Sequence, residues 1–170
     1  MDFLSRRTVR NYTKEKISED IIKEILKVGL TAPTGKNTKA VELILIKDKE
    51  ILKKISEAKK PIQSMPVESD FSILVVGDKE RTDTWIENCS IALTLMQLKA
   101  WEYEVGSCWI QLRERFSFQG ESSEKIVKSL LNIPENYGIL ALMTFGKFDQ
   151  EVKGYTEKDI DFNRVHIEKF

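Results

Sequence analysis

The sequence predicts an α/β or α+β sandwich, with helices covering a mixed sheet. Segments with apolar residues at helical spacing alternate with short β-branched apolar runs, and neither repeats nor low-complexity tracts interrupt them. Length sets the scale: 170 residues suit one domain, residues 1–170, with a core of its own, and are too few for two comfortable ones.

The first helix is expected over about 19–30. Ser18 offers an N-cap, Glu19 and Asp20 put carboxylates at the positive end of the helix dipole, and Ile21, Ile22, Ile25, Leu26, Val28 and Leu30 recur at helical spacing. It stops at Thr31-Ala32-Pro33-Thr34-Gly35-Lys36-Asn37, a loop rich in turn formers. Residues 41–46 form a β-branched and leucine run broken only by Glu42, and 71–77 form another; both read as strands. Between them, Ile51, Leu52 and Ile55 among lysines mark a short amphipathic helix over 49–58. Residues 59–69, with Pro61 and Pro66, read as an irregular surface excursion.

The longest element spans about 84–103. Trp85, Ile86, Cys89, Ala92, Leu93, Leu95, Met96, Leu98, Ala100 and Trp101 cover well over half its circumference, so the helix is expected to be buried on nearly all sides. About 20 residues span roughly 30 Å, which suits a central helix, a subunit contact or both. A strand is expected over 105–110, a serine-capped helix over 122–131 stopped by Asn132-Ile133-Pro134, and a last strand over 139–145. Residues 146–170 lack periodicity, and a monomer would leave much of that stretch poorly anchored.

Composition excludes several classes of function. Lysine plus arginine equals aspartate plus glutamate at 27 each, so no broad field draws nucleic acid or an anionic membrane. No stretch has the roughly 18–20 uncharged apolar residues of a membrane span, and no signal-peptide core opens the chain, so a cytoplasmic protein is expected. Cys89 and Cys108 lie in apolar surroundings without metal-ligand spacing and read as buried free thiols. The single histidine, His166, lacks a nearby cysteine or histidine and reads as a surface residue. Neither a Gly-x-Gly-x-x-Gly dinucleotide fingerprint nor a P-loop is present.

What remains is the opening run Ser5-Arg6-Arg7-Thr8-Val9-Arg10-Asn11-Tyr12. Three guanidiniums so close repel one another unless an anion lies between them, and the Thr8 hydroxyl completes a set of phosphate donors. The alternative is a solvated basic turn at a chain end.

That run resembles the arginine-rich start of the nitroreductase family of flavoproteins. Ala32-Pro33-Thr34-Gly35-Lys36-Asn37 after a helix resembles that family's second flavin loop. The segment Trp85-Ile86-Glu87-Asn88-Cys89-Ser90-Ile91-Ala92, leading through the long helix to Val105-Gly106-Ser107-Cys108-Trp109-Ile110, resembles its third signature. The likeness spans nearly the whole chain. It implies an α+β sandwich whose central mixed sheet is mainly antiparallel, a homodimer, and flavin mononucleotide (FMN) bound at the subunit interface. It also implies a ping-pong reaction in which NADH or NADPH gives hydride to flavin N5 and a nitroaromatic, quinone or similar acceptor is then reduced. In such a scheme the cofactor performs the redox chemistry and no protein nucleophile is needed.

The resemblance also assigns roles. Arg6, Arg7, Thr8 and Arg10 match the motif that holds the flavin phosphate and the polar edge of the ring, where a guanidinium stabilises the negative charge of the reduced form. Pro33, Thr34, Gly35 and Asn37 match the loop bordering the flavin; Gly35 allows close backbone approach and Asn37 donates and accepts hydrogen bonds. Ile110 and Gln111 match the place where backbone N–H groups face the ring, and Arg164 resembles a late basic residue that returns to the phosphate. Gln63 is placed to reach the flavin from the partner subunit, Trp109 reads as core, and residues 147–170 are expected to pack on the partner.

Two departures stand out. Thr38-Lys39-Ala40-Val41 replaces the glutamine, proline and aromatic that often follow in the family, and the stretch between Ser56 and Phe71 lacks the long lid insertion of larger members. They leave open a second reading, a flavin-binding or flavin-sequestering protein of the same fold with little turnover.

Overall fold

The computed structural model of the protein describes residues 3–170. Its elements are α1 (Glu19–Leu30), β1 (Val41–Ile46), α2 (Lys49–Glu57), α3 (Met65–Glu68), β2 (Phe71–Asp78), α4 (Trp85–Glu102), β3 (Gly106–Gln111), α5 (Ser123–Leu131) and β4 (Tyr137–Gly146), with 3₁₀ turns at Gly35–Asn37, Glu157–Asp159 and Phe162–Arg164. The strands form one sheet in the order β1-β2-β4-β3, and every neighbouring pair is antiparallel. The expected sheet, mixed but mainly antiparallel, is thus antiparallel throughout the described residues.

Local chemistry explains most boundaries. Ser18 caps α1 by accepting from the Ile21 N–H, and Asp48 caps α2 through Glu50 and Ile51. Ser122 makes no such side-chain cap for α5; instead Glu124 accepts from the Ile139 N–H at 2.9 Å, tying that helix to β4. Asn132 ends α5 in the left-handed region at φ 55°, which asparagine tolerates better than most residues. The excursion expected over 59–69 contains α3, because Pro66 lies in the first turn of a helix, where its missing N–H costs nothing.

The sheet is covered on both faces. One core joins Ile22 and Ile25 of α1 and Cys89, Leu93 and Met96 of α4 to Phe71, Ile73, Met143 and Phe145 of the sheet. The other joins Leu52 and Ile55 of α2, Met65 of α3 and Val127 of α5 to Leu74, Ile110, Ile139 and Leu142. Cys89 and Cys108 belong to opposite cores and are both free and buried. Burial pushes the Cys89 thiol up to about 12 and raises Cys108 as well, against the pull of Arg10 and Lys59. A thiol reagent at neutral pH should therefore react slowly with the folded protein and rapidly with two thiols once denaturant is added; fast modification of either in the folded state would contradict this burial.

Two features shape the edge formed by β3. Between β2 and β4 the register skips Leu140, and the bulge lets its carbonyl accept from both Leu112 and Arg113, which aims the chain leaving β3. At the other end, Gly106 and Gly146 are register partners. A Cβ on the first would lie 2.6 Å from Val9 and on the second 2.5 Å from Tyr12, so the paired glycines make a bare patch where the opening run lies on the sheet.

Helix α4 differs from expectation. Asn88, Cys89, Ala92, Leu93, Met96 and Ala100 are buried, whereas Ile91 is 39% exposed and Leu95 and Leu98 are only half-buried. Within one chain its apolar surface is wider than the surface it covers. The terminal stretch is similar: residues 155–170 are all exposed, with Ile160, Phe162, Val165, Ile167 and Phe170 among them.

Candidate functional site

The opening run is held from three sides. Trp101 at the end of α4 donates to the Ser5 hydroxyl at 3.1 Å, the Val9 N–H donates to the Ser107 carbonyl at 3.0 Å, and the Thr13 N–H donates to Lys147 at 2.8 Å. The Tyr12 hydroxyl meets the Thr144 hydroxyl at 2.6 Å and the Val9 carbonyl at 3.0 Å, and burial drives its pKa upward. This fixes the backbone of 9–13.

Their placements diverge. Nη1 of Arg6 is buried and has no hydrogen-bond partner, an expensive state for a cationic donor. Thr8 is half-buried and Arg10 is exposed, close enough to Cys108 to oppose the rise that burial imposes on its thiol. Arg7 instead turns to the terminal stretch, its guanidinium 4.4 Å from the centre of the Tyr155 ring. Backbone closure supports that contact, because the Tyr155 N–H donates to Leu4 at 2.7 Å. Arg164 lies in an exposed 3₁₀ turn.

The second loop is built at the opposite end of α4. Pro33, Gly35 and Asn37 are exposed and Thr34 is half-buried. The Gly35 N–H donates to Oδ1 of Asn88 at 3.0 Å, and Thr34 accepts from the Lys39 N–H at 3.1 Å. A Cβ at position 35 would stand 2.8 Å from the Thr84 hydroxyl, so glycine is required there for space. Asn88 and Trp101 are thirteen helical steps apart, which puts the loop and the arginine run about 20 Å apart along α4.

Ile110 and Gln111 close β3. The Ser107 carbonyl faces away from β4, toward Val9, so by strand alternation the backbone of Gln111 also faces the open edge while that of Ile110 faces β4. The Gln111 side chain is engaged internally: it accepts from Trp109 Nε1 at 2.9 Å and donates to the Arg113 carbonyl at 3.2 Å. Trp109 itself is packed against the core.

One residue that sequence reasoning missed lies beside this edge, near Cys108. Lys59 is 7% exposed, and its ammonium is disfavoured by burial and by the nearby Arg115. With Arg10 it gives Cys108 a cationic environment. No sequence signal distinguishes Lys59 from the other lysines of a surface excursion. Gln63, a few residues on, buries Oε1 without a partner. Among the described residues no His, Cys, Asp or Glu cluster could hold a metal ion.

The nitroreductase family model matches residues 4–64 and 58–147, which takes in the opening run, the second loop, α4 and β3. The chain belongs to the nitroreductase family. That membership makes it an oxidoreductase. A relative from Archaeoglobus fulgidus, named "Putative NADH dehydrogenase/NAD(P)H nitroreductase", is 33% identical over 98% of this chain and 95% of its own length. The solved structure of an FMN-dependent nitroreductase from Clostridium difficile R20291 superposes with a TM-score of 0.94 at 34% identity, covering 99% of this chain and 98% of that one. A protein of Parabacteroides distasonis shares the fold at a TM-score of 0.87 and 22% identity, covering 98% and 95%. Within this nitroreductase-family fold, no helix of the described residues is long and apolar enough to cross a membrane.

Proposed function

We propose that the protein is a cytoplasmic FMN-dependent oxidoreductase that takes hydride from NADH or NADPH and then reduces a nitroaromatic, quinone or similar small acceptor by a ping-pong mechanism. The observation that carries this reading is Nη1 of Arg6, a buried cationic donor without a partner inside a run of arginines. A phosphate satisfies it. Oε1 of Gln63, buried and equally unpartnered, is an acceptor suited to a ring N–H, so the donor and acceptor set fits FMN. Bound there, FMN supplies the hydride-transfer centre.

The chain's own residues do the rest. Arg6 and Thr8 hold the phosphate, with Arg164 as a further cation, and Arg7 steadies that end through Tyr155. Arg10, backed by Lys59, supplies positive charge to the polar edge of the ring. The edge-facing backbone of Gln111 offers a hydrogen bond to the ring, and Ile110 serves as packed support behind it. Pro33, Thr34, Gly35 and Asn37 border the ring and limit water access.

A homodimer completes the site. The arginine run and the bordering loop stand at opposite ends of α4, and the apolar face with Ile91, Leu95 and Leu98 is open. Two copies packed antiparallel through that face bring the loop of one beside the run of the other. The terminal stretch 147–170 then packs its exposed Ile160, Phe162 and Val165 on the partner.

Anaerobic titration of the FMN-loaded protein with NADH and with NADPH tests the reading. Absorbance near the flavin band should bleach with at least one donor and return on addition of a nitroaromatic or quinone. A yellow protein bleached by neither would favour the flavin-sequestering alternative.

A further inference from the structure

Resting on that reading, we propose that Asn88 is a positioning residue for the FMN site, ordering the 34–39 loop for the flavin held by the partner's arginine run. The loop is built from backbone that L-residues avoid: Lys36, Asn37 and Lys39 stand at φ 53°, 53° and 51°. Its internal bonds are short-range, from Asn37 to Thr34, from Thr38 to Gly35 and from Lys39 to the Thr34 hydroxyl. Such a loop needs outside support to hold one shape.

Two outside anchors reach it. Arg81 donates to the Lys39 carbonyl at 3.3 Å from an exposed position. Asn88 is 2% exposed, and its Oδ1 accepts from the Gly35 N–H at 3.0 Å. The amide is itself oriented, because Nδ2 reaches the Thr84 hydroxyl at 3.5 Å and that hydroxyl meets Thr82 at 2.9 Å. Thr84 also fills the space beside Gly35, so the first turn of α4 forms the seat on which the loop rests. A loop pinned in advance spends less binding energy on ordering when the cofactor arrives.

Asn88→Leu keeps the branched shape and heavy-atom count and removes the acceptor, leaving the Gly35 N–H unpaired. Asn88→Asp keeps an acceptor, and the first turn of a helix tolerates its charge. By fluorescence titration, Asn88→Leu should weaken FMN binding about 10- to 100-fold, and Asn88→Asp should remain within about threefold of the parent. Parental affinity in Asn88→Leu, while Arg6→Ala loses affinity, overturns the role of Asn88 and leaves the flavin site standing. If Arg6→Ala also binds normally, the flavin-site reading fails instead. A fall in both Asn88 variants together with lower apoprotein Tm marks a merely structural role and also overturns the proposal.

Mixed dimers test the reach across subunits. With Asn88→Leu on one chain and Arg6→Ala on the other, one site receives both defects and one tight site per dimer should survive. With both substitutions on one chain and a wild-type partner, each site receives one defect and no tight site should remain. The reverse pattern places loop and run of the same chain around one flavin and overturns the cross-subunit assignment.

Discussion

Alanine at both Arg6 and Arg10 should lower FMN affinity by a factor of at least about 100. Charge-assisted hydrogen bonds to an anion contribute about 1.5–3 kcal/mol each, so two such contacts correspond to roughly 10²–10⁴ in the dissociation constant. The expectation is sharpened by what the arginines do within the chain: Nη1 of Arg6 has no partner, and Arg10 is exposed. Neither therefore contributes much to folding, and the apoprotein should melt within a few degrees of the parent. Fluorescence titration with FMN and thermal unfolding of the apoprotein separate the two quantities. Undiminished affinity would show that the run binds something else, or nothing.

The second large effect is on stability. Phe71 and Phe145 are register partners on β2 and β4, both fully buried, with ring centroids 4.8 Å apart and planes 12° from parallel. Phe71→Ala removes a ring from a site enclosed by α1, α4 and two neighbouring strands, where relaxation is limited. A loss of about 3–5 kcal/mol follows from truncation of a buried phenylalanine. Urea unfolding of the apoprotein measures it; a loss under about 1 kcal/mol would mean that the second ring collapses into the space, which the stacked geometry argues against.

These two sites differ in how far the sequence discloses them. The core is legible because burial follows periodicity: α1 begins and ends where Ser18 and the 31–37 loop indicate, and β1 occupies 41–46 as read. Helix α3 is not, because a proline marks a loop and the first turn of a helix equally well. The candidate site is legible as a set of segments, and the segments matched by the family model are those that carry the resemblance. The arrangement within them is not. Arg7 reads the same as Arg6 until Tyr155 captures it from about 150 positions away, and Lys59 reads as a surface lysine until the fold buries it beside Arg115.

By itself the sequence determined the strands and every helix but α3, the buried free thiols, the arginine run and the glycine loop, since each depends on residues within a few positions of one another. Only the tertiary structure decided that the run and the loop stand at opposite ends of α4, that Gln111 and not Ile110 turns its backbone to the open edge, and that Asn88 holds Gly35 across a separation of 53 positions. Those facts depend on strand register, a bulge at Leu140 and the packing direction of one helix. Local propensity carries no record of them, because the same apolar spacing is satisfied whichever polar groups the fold brings together.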